Sequence, residues 1–228
     1  MKYIKLICIS FILISSIGAI NTDNTKGNIH IIKPSDIETS SLIMCFDAGH
    51  YANYNRSIEK SDGTIYSEGE AMLNLSLHLQ KFIPNSIFTR LEYDYNPSYK
   101  TRAEYAFNNN ADIIISLHSN SSTGIKVYYS INQPENKQHA EKLLELISQY
   151  TGIRAYGVVC WENADKPGTD YLAMIKRPYD LGIKEIYVVE HGSHEEFANN
   201  YTHNIMGCIK AYLEFYKYLT QENSMEVK

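Results

Sequence analysis

Two histidines and a few carboxylates in this 228-residue chain stand where apolar runs hand over to polar ones. Ile43-Met-Cys-Phe-Asp-Ala-Gly-His50 reads as a buried strand that leaves through Asp-Ala-Gly and presents one imidazole. Ala111-Asp-Ile-Ile-Ile-Ser-Leu-His118 is the clearest buried strand and also ends in His, while Lys184-Glu-Ile-Tyr-Val-Val-Glu190 ends in a carboxylate. Ser67-Glu-Gly-Glu70 adds two acids in the first turn of an amphipathic run. If the three strands are parallel, their carboxyl ends share one edge of the sheet, where α/β folds bind ligands. Two imidazoles and two carboxylates meeting there would suit a zinc hydrolase. Zinc takes His nitrogen and carboxylate oxygen and keeps a position open for water, and a further Glu can carry the proton. Each residue also has a plain reading: Ser67 to Glu70 is a capping-box pattern, His118 could be a satisfied core histidine, and Glu190 a surface acid. From the residues alone, Glu68 rivals Glu70 as the ligand.

The elements that must position these groups alternate. The first strand is expected at Ser41 to Phe46, followed by a long polar loop from His50 to Ser67 whose length suggests function. A helix is expected from Gly69 to Phe82, a short strand at Ser86 to Thr89, and a short helix to Asn108 opened by the capping box Thr101-Arg-Ala-Glu104. Strands at Ala111–His118, Gly124–Tyr129 and Arg154–Trp161 flank a helix from Gln138 to Tyr150. A loop follows from Glu162 to Asp170. Lys184 to Glu190 is the last strand, and a long helix runs from Glu195 or Tyr201 to Leu219. This alternation predicts an α/β three-layer sandwich: a mixed, mostly parallel sheet with helices on both faces.

Composition sets the outer limits. The hydrophobic fraction of 44% and the length support one well-buried domain, expected at residues 41–222, after a polar lead-in at residues 21–40 in which Ile31, Ile32 and Ile37 could lay an edge segment on the core. The net charge of −5 argues against nucleic acid as a partner. Met1 to Ile20 differs from the rest: Lys2 and Lys5, an apolar stretch from Leu6 to Ile14, then small residues. That is the form of a cleaved signal peptide (the alternative being an uncleaved anchor), so the mature chain is expected to be secreted, with no membrane attachment once the signal is removed. Cys45, Cys160 and Cys208 are too few and too far apart for a disulfide framework, although one pair could bridge.

The blocks around these residues resemble one family. Ile43 to His50, Glu70 four residues before Asn74-Leu75, Thr89-Arg90, Arg102, the Ser-Leu-His-Ser-Asn block ending at Asn120, Gly124 to Tyr129 and Val188-Val-Glu190 are similar to the zinc N-acetylmuramoyl-L-alanine amidases, the catalytic domains of autolysins and phage endolysins. The resemblance implies zinc held by His50, Glu70 and His118, with Glu190 as general base and acid, and hydrolysis of the amide between N-acetylmuramate and L-alanine of peptidoglycan. It favours Glu70 over Glu68 through the spacing to Asn74-Leu75. Asp47 is a candidate acceptor for the second N–H of a ligating imidazole, or simply a turn former. Two stretches depart from the family pattern, Tyr51-Ala-Asn-Tyr54 after His50 and His191-Gly-Ser-His194 after Glu190. The two extra histidines are rival ligands, or line the cleft, or orient Glu190. Tyr51, Tyr54, Asn55 and Trp161 are expected to flank the cleft. The competing readings are a zinc peptidase of the peptidoglycan stem and a non-catalytic wall-binding module on the same fold.

Overall fold

The computed structural model describes residues 19–22, 29–32, 41–50, 57–60 and 63–226. Two units separate along the chain at Thr39/Ser40. In the first, β1 (Ala19–Thr22) and β2 (Ile29–Ile32) pair antiparallel in a two-stranded sheet of their own. Ile31 and Ile32 belong to that pair rather than to the main sheet, and Ile37 lies outside the described residues. So do residues 1–18 of the expected targeting segment, and Tyr51, Tyr54 and Asn55. Among the described residues no helix is long and apolar enough to cross a membrane.

The second unit is built on a six-stranded sheet. Its strands are β3 (Met44–Ala48), β6 (Ser86–Phe88), β7 (Ile113–Asn120), β8 (Ile125–Tyr129), β9 (Ala155–Val159) and β10 (Glu185–Ser193), in the order β6-β3-β7-β10-β8-β9. β6, β3, β7 and β10 are parallel, and β8 joins β10 antiparallel, with β9 parallel to β8. A separate hairpin, β4 (Ser57–Glu59) with β5 (Ile65–Ser67), occupies part of the expected loop. The central strands are apolar on both faces because helices cover both.

The two-residue period of a strand decides which side chain meets which layer. Cys45, Ile114, Ile186 and Val188 pack in one cluster with Ala106 of α2 (Tyr99–Asn108) and with Met174 and Ile175 of α4 (Ala173–Leu181). Residues of opposite parity face the other layer, where Phe46 meets Tyr212, and Tyr187 meets Phe215, of α6 (Tyr201–Glu226). α1 (Glu68–Phe82) and α3 (Lys137–Thr151) pack against α6 in that layer, and α5 (His194–Asn199) precedes it. The expected three-layer α/β sandwich is therefore the observed architecture. Carried two residues further, and four in β7, the first parity puts Asp47, Ser116, His118 and Glu190 on one face of the sheet, just past the end of its apolar cluster.

Local signals were right in kind more often than in detail. The cap of α2 is Ser98, whose side chain accepts from the Thr101 backbone; Thr101 lies inside the helix. Ser67 caps α1 without its side chain. The complete capping box belongs to Ser193 and Glu196 and opens a separate short helix, α5, so the last long helix begins at Tyr201, the later of its two expected starts. α4 occupies part of the stretch between Asp170 and Lys184, where no element was expected, and it carries Pro178 inside it. Cys45, Cys160 and Cys208 are all free.

One polar cluster ties α3, β10 and α6 together. His139 meets Glu185 at 3.1 Å through Nδ1 and Glu222 at 2.8 Å through Nε2, and Tyr187 and Tyr218 donate to the same two carboxylates. Both ring nitrogens can donate only in the imidazolium. The hydrogen bond to Glu185 accordingly raises the His139 pKa, against the opposing effect of burial and with help from Glu222. Since the folded value is the higher, this stabilisation is fully present below about pH 6.5, the unfolded value, and is lost as pH rises through the folded one. His139→Gln should cost roughly 1 kcal/mol at pH 6 and less at pH 9. Thermal unfolding of both proteins at both pH values checks this; an equal gap at the two would refute it.

Candidate functional site

The site begins at the turn that ends β3. Gly49 donates its N–H to the Leu117 carbonyl at 3.0 Å, tying the turn to β7. A Cβ on Gly49 would stand 2.3 Å from His118 Cε1, so only glycine lets the His118 ring lie against this backbone. His50 follows with φ of +55°, a left-handed conformation that a non-glycine residue holds only when its surroundings fix it. Two buried arginines fix it. Arg102 donates to the carbonyls of Ala48 at 2.8 Å and His50 at 3.0 Å. Arg90 donates to Gly49 at 3.3 Å and also to Gly69 at 3.0 Å, which locks the first turn of α1 beside the His50 turn. Burial lowers the Arg90 pKa to about 10, still leaving it charged at neutral pH.

That locked turn carries the carboxylate. Glu68 Oε1 lies 3.3 Å from His50 Nε2 and 3.0 Å from His118 Nδ1, and it accepts the Ser119 backbone N–H at 3.1 Å. The two imidazoles meet edge to face with ring centres 4.9 Å apart. One ligand atom from each of His50, Glu68 and His118 lies within 4.8 Å of the others. The expected Glu70 is not among them. It is exposed, on the outer side of α1, and its carboxylate interacts with Tyr93. Helical phase explains the correction. Glu68, Met72, Leu75 and Leu79 follow the i, i+4, i+7, i+11 pattern and are all buried, whereas Glu70 is in phase with Asn74, Leu77 and Lys81, none of them buried. The Asn74-Leu75 pair was the wrong anchor for the spacing; four residues on from Glu68 stand Met72-Leu73, both buried.

The far side of the His118 ring is held through a relay. Ser116 Oγ donates to Asp47 Oδ2 at 2.6 Å and lies 3.2 Å from His118 Nε2. Its hydrogen being spent on the carboxylate, Ser116 accepts Nε2–H, which leaves Nδ1 of His118 facing Glu68. Asp47 also accepts from Thr89 and, at 2.6 Å, from Arg102. Burial would raise the Asp47 pKa, but Arg102 and the hydroxyl donors outweigh it and the pKa is lowered. Asp47 thus serves an imidazole, as one of its two expected roles had it, but through Ser116. Glu68 shows the same contest: burial pushes its pKa up, and the His118 and His50 contacts bring it down to about 2. Burial works against a charged His118, yet Glu68, Glu190 and Asp47 raise its pKa overall. With Nδ1 protonated this contact is a hydrogen bond to Glu68; with the proton displaced, the same two atoms and the His50 imidazole beside them could share a cation. Two nitrogens and one carboxylate oxygen fit zinc.

Glu190 sits opposite His118 in the β7–β10 register and lines the same cleft, a volume of about 680 Å³ that also takes in Trp161. The two histidines that follow Glu190, His191 in β10 and His194 at the start of α5, are not in the cluster and are not among the residues lining the cleft. His191 is fully buried, donating Nδ1–H to the His118 carbonyl at 2.8 Å and accepting from Tyr212 at 2.8 Å. Burial lowers its pKa to about 4, so it is neutral. His194 bonds Ser119 at 2.8 Å, and Tyr66 bonds that same hydroxyl at 2.7 Å. Both histidines brace the strand behind His118.

Comparison with known proteins places this geometry. A family model described as N-acetylmuramoyl-L-alanine amidase matches residues 44–178, more than half of the chain. No curated protein matches the sequence. Among solved structures, Cwp6 from Clostridium difficile aligns with a TM-score of 0.64 at 18% identity over 76% of this chain, which spans 28% of that protein. The CwlD amidase of Clostridioides difficile, solved in complex with the GerS lipoprotein, gives 0.60 at 20% identity over 78% of this chain and 98% of its own. An N-acetylmuramoyl-L-alanine amidase from Clostridium difficile 630 gives 0.58 at 22% identity, covering 77% and 97%. At these identities the structural likeness is one of fold. The family model, which spans His50, Glu68 and His118, carries the assignment: this chain belongs to the N-acetylmuramoyl-L-alanine amidases, hydrolases of peptidoglycan amide bonds.

Proposed function

We propose that this chain is a zinc-dependent amidase that cleaves the bond between N-acetylmuramate and L-alanine, working outside the cytoplasm after export by residues 1–20. The observation that carries the reading is the convergence of His50, Glu68 and His118 on one point, with Glu190 across the strand pair from His118. Zinc bound there would supply a Lewis acid for the amide carbonyl and a water of lowered pKa. The remaining work falls to the chain. Glu68 and the two imidazoles are pre-aimed by Arg90, Arg102 and the Asp47–Ser116 relay, so little reorganisation is needed on binding. The Glu190 carboxylate takes a proton from the attacking water as the C–O bond forms. It returns that proton to the L-alanine nitrogen as the C–N bond breaks, leaving a lactyl carboxylate on the glycan and a free amine on the stem peptide.

Purified protein incubated with muropeptides should release intact stem peptides beginning with L-alanine, identified by mass. Fragments cut within the stem would instead indicate a peptidase, and no products at all a non-catalytic wall-binding module. Zinc analysis separates the two acids of the first helical turn. Glu68→Ala should lose the metal, while Glu70→Ala should retain one equivalent; the reverse pattern would restore Glu70 as the ligand. Glu190→Gln should keep zinc and lower kcat by roughly 10²- to 10⁴-fold. Unchanged turnover would remove Glu190 from the mechanism.

A further inference from the structure

The cleft has a second built feature that the chemistry above does not use. Tyr128, Trp161 and Tyr171 line it as a stack of three rings. Trp161 and Tyr171 lie 4.3 Å apart with planes 21° from parallel, and Tyr128 lies 6.1 Å from Trp161 at 28°. Tyr128 is 8% exposed, whereas Trp161 and Tyr171 are 45% and 54% exposed. The stack therefore starts in the core and ends in solvent, at the mouth of a cleft. Leaving two large aromatic surfaces in water forgoes the stabilisation their burial would give, and such apolar patches beside polar groups mark binding surfaces.

The segment carrying the rings is pinned. Asp170, 2% exposed, accepts from Ser130 Oγ at 2.7 Å and from the Ile131 N–H at 2.9 Å, fastening the segment to the end of β8. Tyr171 donates its N–H to the Trp161 carbonyl at 2.8 Å, and Asn163 donates to Thr169 at 2.8 Å. Glu162 pairs with Asp170 as a bridge and accepts the Gly168 N–H at 2.6 Å. The two ends of the segment are thus drawn together beneath the two rings, so little ordering cost is left for a ligand that lands on them.

A flat aromatic face suits a ligand with a flat apolar face of its own and a polar rim. A pyranose ring has both, with axial C–H groups on its faces and hydroxyl and acetamido groups around its edge. Asn120, Ser122 and Lys126 line the same cleft and offer donors and acceptors to such a rim. A stem peptide carries carboxylates, and among the described lining residues Lys126 is the one lysine or arginine. We propose that the outer face of Tyr171, backed by Trp161, forms a glycan subsite, stacking an N-acetylhexosamine ring of the substrate strand and thereby setting which part of peptidoglycan enters the cleft. The proposal rests on the amidase reading for its choice of substrate, not for its test.

Trp161 is the only tryptophan in the chain, so its emission reports on this subsite directly. The full-length protein is titrated with a peptide-free tetramer of β-1,4-linked N-acetylglucosamine and, separately, with the free stem tetrapeptide beginning with L-alanine. The glycan should give a saturable change in emission and the peptide none. Tyr171→Ala should weaken the glycan about two- to tenfold, the scale of one ring-stacking contact, and Tyr171→Phe should retain full affinity. A saturable response to the peptide alone, or to neither probe, overturns the subsite, as does unchanged glycan affinity in Tyr171→Ala. The titration involves no turnover. Glycan binding without muropeptide cleavage would sink only the catalytic reading, and cleavage without a glycan response would sink only the subsite.

Discussion

Everything at this site hangs on the buried ion pair between Asp47 and Arg102. Taking both charges out of water is costly, and the pair is tolerable because almost every hydrogen-bonding position on it is filled. Asp47 accepts from Arg102, Ser116 and Thr89. Arg102 donates to Asp47, Ala48, His50, Pro97 and Asn96. What this arrangement provides is position more than stability. One end of the network fixes the backbone that presents His50; the other, through Ser116, fixes the His118 ring. A well-packed apolar pair of similar volume could hold the sheet to α2, but it could not orient two imidazoles at once.

The sheet's two-residue period supplies the rest of the alignment. β3, β7 and β10 each send apolar side chains toward α2 and α4 until the apolar cluster stops, and the next side chains of the same parity are Asp47, Ser116, His118 and Glu190. The chemistry is the continuation of the core by other residue types. A one-residue slip of β7 against β10 would turn His118 toward α6 and dismantle the site, so the register that folds the protein also assembles its centre.

This accounts for what the sequence disclosed. The long apolar runs showed the parallel sheet, and residues at their ends, His50, His118 and Glu190, could be read as one edge. Glu68 was legible too, in the phase of Met72, Leu75 and Leu79, but the spacing to Asn74-Leu75 drew attention to Glu70. Helical phase reports which face a side chain occupies; a short pairwise motif does not. Arg90 and Arg102 stood in the resembling blocks, but their positioning role stayed hidden for a different reason. A buried arginine is recognisable only by its partners, and here, Asp47 aside, those that place the two turns are backbone carbonyls of residues 21 to 54 positions away, which carry no sequence mark. His191 and His194 misled in the opposite direction, since metal-ligating residue types proved to be braces for the strand behind His118.

The two halves of the cleft are secured in different ways, and that difference bears on how such an enzyme can change. The side that carries His50, Glu68 and His118 is woven into three strands and a helix through two arginines, so altering any member disturbs the others. The aromatic side stands on one segment fastened by Asp170 to Ser130 and Ile131, with its own internal bridge. Substitutions at Trp161 or Tyr171 leave the sheet register and the Asp47 network untouched. Chemistry is therefore held by the core, where few residues can vary. The proposed glycan contact stands instead on a segment fastened at few points, the kind of surface connection in which substitution disturbs a core least.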